Sequence, residues 1–416
     1  MPKPILIPNT QTGSLTDHQQ GTNDTLIGAD GSSTNVLTNV LFGDAYNMYD
    51  SSRGGDDTLI GGLNAFNTLY GDAYSMSDNT RGGNDTLFGR GGGLNTLYGD
   101  AGLMSDNSRG GDDYLTSDAF LSILYGDAQS MFGHARGGND TLTTSGGHQN
   151  SLYGDAHTMS DKAVGGDDTI GGGQGLRNDY FGDAFEMSGN ARGGNDTLTG
   201  VSGNAASGFS VEFNDLIGDA QYMSDNTRGG NDTLIGGAGD PSLAAFFVPS
   251  NFLSGDAQYM SGNARGGDDT LIGGATGNFP NFGPHNTLIG DAYSMSDNTR
   301  GGNDRLISGT GTDHMWGDAQ LINGVAASPT APTGNVTTGA DTFVFAPGNG
   351  ADDINDFRQS DHDKIDVSAY GFHSIADMVI TGTGADTKIA FDPTNSVTLV
   401  GISDPNVLHA SDFVFA

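Results

Sequence analysis

The 416-residue sequence has no cysteine, so neither disulfides nor a thiolate nucleophile can serve it. Cations are scarce too: 16 Lys and Arg stand against 51 Asp and Glu, a formal net charge of −35. That balance argues against nucleic acid as a partner and for cations as one. Glutamate is almost missing from the acidic set, with only Glu186 and Glu212. A merely solvated acidic surface would mix the two acids, whereas turn-borne ligands select the shorter one. Hydrophobic residues make up 35%, which is poor for one large globular core. No run of about 20 apolar residues exists, so no membrane-spanning helix is expected. The N-terminal MPKPILIPNT has three Pro and no apolar core of signal-peptide type. The nine His include no H-E-x-x-H and there is no G-x-S-x-G elbow, so no enzyme is expected.

What the chain has in excess is glycine, 69 residues of it, laid out on a ruler. The stretch Gly71 to Leu87, GDAYSMSDNTRGGNDTL, recurs nine times with small edits between Gly43 and Leu306. A partial copy begins at Gly317 and a lone second half lies at Gly21 to Leu26. From each GDA Asp to the Asp of the following G-G-[ND]-D the separation is 13 in all nine complete copies. From there to the next GDA Asp it ranges from 14 to 24. One arm is rigidly measured and the other tolerates insertion. Such a period means a solenoid, whose core is one inward column per strand.

The second half of the repeat, G-[ND]-D-T-L plus an apolar residue and often G-G, resembles the nonapeptide G-G-x-G-x-D-x-U-x of the RTX, or hemolysin-type, calcium-binding family. Glycine permits the turns that aim carbonyls at a cation. Aspartate supplies hard oxygens, and Ca²⁺ takes six to eight of them. The resemblance implies an all-β, calcium-stabilised parallel β-roll or β-solenoid of about ten turns of 27–37 residues, with a β-rich C-terminal cap. It implies multiple Ca²⁺ ions held by a first column, Asp24, Asp57, Asp85, Asp113, Asp140, Asp168, Asp196, Asp232, Asp269 and Asp304. A second column is the GDA Asp: Asp44, Asp72, Asp100, Asp127, Asp155, Asp183, Asp219, Asp256, Asp291 and Asp318. The chain departs from the family where Thr80-Arg81 replaces the leading Gly-Gly, and where Asn67 and Asn95 stand for Asp. Without calcium such a chain is expected to be disordered, and to fold when the ion binds.

Along the chain, residues 1–20 read as an arm, 21–325 as repeats, 326–335 as a linker and 336–416 as the cap. Two strands per repeat centre on Leu69 and Leu87, and Met76 marks a third apolar position, which points to a roll wider than two strands, with three sides. The Met column (Met48, Met76, Met104 and onward) reads as core filler rather than a binding stripe. An Arg column (Arg53, Arg81, Arg109, Arg136, Arg192, Arg228, Arg265 and Arg300) is expected to pair with the GDA Asp, with an anion- or sugar-binding ladder as the alternative. Strand alternation turns Tyr70, Tyr98, Tyr125, Tyr153 and Phe181 outward, either as an interaction surface or under a cover. Three swollen arms, Gly200–Ile217, Gly236–Ser254 and Gly273–Ile289, carry Phe209, Phe213, Phe246, Phe247, Phe252, Phe279 and Phe282 and suggest an apolar cluster.

From Gly339 the motifs GADTFVF, GADDINDF, DKIDVS and the terminal DFVFA resemble the serralysin-type C-terminal domain of secreted RTX proteins. That resemblance implies a cap, a calcium site at Asp341, Asp352 and Asp353, and export by type I secretion machinery from a Gram-negative bacterium. The expected role is a secreted structural, surface or matrix protein. The alternatives are a filament or surface layer self-associating through the aromatic row, or an ice- or carbohydrate-binding module using the Thr column at Thr58 and Thr86, with surface polysaccharide a further partner.

Overall fold

The computed structural model describes residues 13–173, 175–202, 213–239, 250–275 and 285–416. The first part of the N-terminal arm, and Phe209, Phe246, Phe247, Phe279 and Phe282 of the swollen arms, lie outside the described residues. The chain is nearly all β and divides into two compact units, residues 1–198 and 199–416. The division falls inside the repeats rather than at the change of composition near residue 326.

In the first unit each repeat lays down three short strands, one in each of three parallel sheets. One rung consists of Leu94–Tyr98, Ala101–Met104 and Tyr114–Ser117. Each strand pairs in register with its counterpart a repeat away: Leu69 with Leu97, Met76 with Met104, Leu87 with Leu115. These inward columns are fully buried. Met76 therefore belongs to a third strand, Ala73–Met76, and the roll is three-sided.

The rigid arm owes its fixed length to one turn. Asp78 and Asp106 adopt φ of 61° and 59°, and Gly133 fills the same place at 74°. Only Gly, Asn and Asp enter that left-handed region at small cost, which is why Asp or Gly holds that place in every turn, as in S-D-N and F-G-H. Just beyond, the first residue of each [ND]-D pair in this unit faces solvent and alternates in kind. Asn84 N–H donates to Asp56 Oδ1, Asp112 N–H to Asn84 Oδ1, and Asn139 N–H to Asp112 Oδ1.

The second unit repeats the rule. Leu234, Leu271 and Leu306 stack in one column, and it continues past the repeats through Phe343, Ile365 and Phe413. Ala351–Ile354 likewise adds in parallel to the strand Thr312–Trp316, and Ser396–Leu399 adds to Ala351–Ile354. The antiparallel strands Thr387–Ala390 and Val379–Gly382 then end that sheet. The compositional cap thus extends two of the sheets before closing one, which deals with an otherwise open edge.

Candidate metal centre

The second Asp of each G-G-[ND]-D is a ladder residue. Its Oδ1 accepts the main-chain N–H of the equivalent Asp one rung earlier. In the first unit this joins Asp24 to Asp57, Asp57 to Asp85, Asp85 to Asp113, Asp113 to Asp140, Asp140 to Asp168 and Asp168 to Asp196, at 2.6–2.7 Å. In the second it joins Asp232, Asp269, Asp304 and Asp341 at 2.7–2.8 Å. The other oxygen is different. Oδ2 of Asp57, Asp85, Asp113, Asp140, Asp168, Asp269, Asp304 and Asp341 is buried and accepts from no donor.

The GDA Asp forms the second buried column. Its carboxylate reaches across the rigid arm to the second glycine of G-G: Gly83 N–H donates to Asp72, Gly111 to Asp100, Gly138 to Asp127 and Gly166 to Asp155. Asp44, Asp183, Asp219, Asp256, Asp291 and Asp318 make the same bond, from Gly55, Gly194, Gly230, Gly267, Gly302 and Gly339. Oδ2 of Asp127, Asp155, Asp256 and Asp291 is again buried without a donor. The glycines are there because oxygens crowd them. A Cβ on Gly71 would lie 1.7 Å from Gly99 O and 2.0 Å from Asp85 Oδ2. One on Gly82 would lie 1.6 Å from Asp100 Oδ1 and 2.6 Å from Asp72 Oδ2, where the carboxylates of successive rungs meet.

Burial pushes these carboxyls up, and their neighbours push further. Asp57 rises to about 7 and Asp269 to about 8, burial being the main cause in each. Asp72, Asp100, Asp127, Asp155, Asp291 and Asp304 are raised well above the usual range by burial first and then by flanking aspartates. Two bare carboxylates one rung apart would repel by about 3–4 kcal/mol at an effective dielectric near 20. A handful of such pairs would exceed the roughly 5–15 kcal/mol that holds a domain folded. The columns therefore need positive charge or protons between their oxygens.

A neutral ladder elsewhere in the same rungs makes the contrast. Asn39 Nδ2 donates to Asn67 Oδ1 and Asn67 Nδ2 to Asn95 Oδ1, both at 2.8 Å, and Asn150 to Asn178 at 2.9 Å. Asn214, Asn251 and Asn286 do the same in the second unit. An amide carries donor and acceptor, so a stack of amides closes on itself; a carboxylate only accepts. Stacked Asn at this corner satisfy one another, save for Asn150 Oδ1 where Ser122 interrupts the run, whereas Asp at the other corner cannot.

The ends of the column differ. Asp24 is only half-buried and accepts from the Thr22 hydroxyl. At the far end Asp341 N–H donates to Asp363 Oδ1, and Asp363 Oδ2 accepts the Arg358 N–H at 2.6 Å. Asp356 accepts the N–H groups of Gly317 and Asp318, and the buried Arg358 guanidinium lies close enough to offset both Asp318 and Asp356. Asp356, Arg358 and Asp363 are absent from the sequence-derived set; the only signal is the clustered D-F-R and D-H-D beyond the repeats. Asp353 does not join the column. It lies on the outward side of its strand and pairs with His314 Nδ1 at 2.6 Å, while Asp352 is the buried one.

The donors along the columns are all oxygens, which suits a hard cation such as Ca²⁺, and the donor-free Oδ2 atoms are where its charge would be used. Among the described residues no group of three or more His, Asp or Glu side chains surrounds one point. A bound ion would thus draw on carboxylate pairs together with main-chain carbonyls such as that of Gly99.

The structure decides between the two environments left open for the aromatic row, and it corrects the pairing expected of the Arg column. Tyr70, Tyr98, Tyr125, Tyr153 and Phe181 face outward by alternation yet are only 4–9% exposed. Their rings stack at 4.7–5.1 Å between neighbours, and Tyr74, His157 and Phe185 pack on them from around the GDA corner. The row is a second core, not a docking face. The Arg column, for its part, forms no ion pair with the GDA Asp among the described residues; the GDA oxygens are buried on the G-G amides. All eight guanidiniums face solvent. No protein-family model matches the chain, and no curated protein or solved structure matches it.

Proposed function

We propose that this protein is a calcium-binding β-solenoid that folds on meeting extracellular calcium and serves as a structural, surface or matrix element outside a Gram-negative cell. The observation that carries this reading is the row of buried Oδ2 atoms without donors. Asp57, Asp85, Asp113 and their counterparts would hold the ions with the GDA aspartates, and the cation would supply the charge that lets stacked carboxylates lie one rung apart. In a cytosol poor in calcium the acidic chain stays open, a state suited to export through type I secretion machinery. Extracellular calcium modules bind with dissociation constants of about 10⁻⁴–10⁻³ M, the range in which such a switch operates.

The test is circular dichroism and direct calcium counting on the purified chain. Strand content should rise cooperatively with calcium, and bound ions should number close to one per rung or more. Full strand content in chelator at neutral pH, with no calcium retained, would refute the reading. Of the rivals, assembly through Tyr98 and Tyr125 is disfavoured by their burial. A uniform ice-binding Thr face is disfavoured because Tyr114 and Arg305 interrupt the Thr register.

A further inference from the structure

In the first unit Arg53, Arg81, Arg109 and Arg136 are joined main chain to main chain by successive parallel bridges. Val164 takes the next place and Arg192 the one after it. Their spacing is that of strands in a sheet, about 4.8 Å. Where Val164 interrupts the row, the exposed Lys162 restores a cation two residues away. Among the described residues none of these guanidiniums reaches a carboxylate, although the chain carries 51 acidic residues. Two grooves open along the row. One is lined by His18, Gln20, Ser51, Arg53, Asn79 and Arg81, the other by Arg136, Lys162, Val164, Asn190 and Arg192. Neither lining contains a single Asp or Glu. Like charges at this spacing repel; the exposed Asp78, Asp106 and Asp161 of the neighbouring turn spend their carboxylates on main-chain N–H groups, so a row without ion-pair partners among the described residues is suited to receive counter-charge from outside.

We propose that this arginine row binds a linear acidic polysaccharide with one carboxylate per sugar. Such a polymer carries a carboxylate on every sugar, so several of them along one chain can meet guanidiniums of the row in charge-assisted pairs. The amides of Asn79, Asn190 and Gln20 stand beside them for the hydroxyls. Many weak contacts on one chain then sum by multivalency. Nucleic acid fits less well: neither groove offers a Phe, Tyr or Trp on which a base could stack.

The test uses the full chain in saturating calcium and a short fluorescent oligogalacturonate, read by anisotropy. Binding should weaken with added salt, and it should weaken about tenfold or more in the Arg81→Gln, Arg109→Gln, Arg136→Gln triple variant. The matching Lys variant should keep most of it. Circular dichroism in calcium should be the same for both variants, since the row is solvent-facing; should the triple variant misfold, Arg109→Gln alone gives the same comparison. The proposal is overturned by unchanged binding in the Gln variant, which would mean attachment through calcium, or by equal binding of the methyl-esterified, uncharged oligomer. Tighter binding of a DNA duplex at equal charge would overturn the sugar assignment. Every arm can be read even if calcium proves unnecessary for folding.

Discussion

Asp85 Oδ1 accepts the main-chain N–H of Asp57 at 2.6 Å, while Asp85 Oδ2, equally buried, accepts from nothing. One carboxylate thus fastens two rungs and leaves an oxygen that wants a cation.

Replacing Asp113 by Asn tests that division of labour. The amide keeps the acceptor for Asp85 N–H and supplies a donor of its own. The calcium concentration at the folding midpoint should rise about tenfold, while the calcium-free chain becomes more ordered, not less. Calcium titration followed by circular dichroism reads both.

The reverse exchange, Asn67→Asp, puts an acceptor where the amide ladder needs a donor. Asn67 Nδ2 would no longer serve Asn95, and a charge would be buried beside it. The fold should lose about 3 kcal/mol or more, with or without calcium. Urea unfolding in saturating calcium measures it.

Acid should substitute for calcium. Burial raises Asp57 to about 7 and Asp269 to about 8 from an ordinary 3.8. A carboxyl whose folded value lies above its unfolded one stabilises the fold fully below the unfolded value and ceases to as pH climbs through the folded one. Calcium-free protein should therefore gain strand content as pH is lowered from about 8 to 5, and lose it on return. Flat ellipticity over that window would contradict the assignment.

Gly71→Ala should cost several kcal/mol, since the new methyl would meet Gly99 O and Asp85 Oδ2 inside 2.1 Å. Gly146→Ala, whose nearest neighbour would be 3.9 Å away, should be close to neutral. Thermal unfolding of the pair separates a crowded oxygen site from a general need for glycine.

Much of this was legible in the repeat. The fixed 13-residue arm marked both carboxylate columns, and the Met76 column pointed to a third side. The aromatic row was legible in direction but not in environment, which stayed open between an interaction surface and a covered row; the cover is Tyr74, which reaches Tyr70 from the next strand around a corner that linear alternation does not describe. The Arg column was expected to need acid partners; solvent exposure is how the chain tolerates it. Asp356, Arg358 and Asp363 escaped because they lie beyond the ruler, in a segment whose role depends on stacking against Gly317 and Asp341.

The alternation of Asp56, Asn84, Asp112, Asn139 and Asp167 along the surface has a genealogical consequence. Excising one repeat would set acid on acid or amide on amide, whereas excising two keeps the sequence of charge and amide. Growth and shrinkage of this array by duplication should accordingly be easier in steps of two rungs, so that the hereditary unit is twice the length of the structural one.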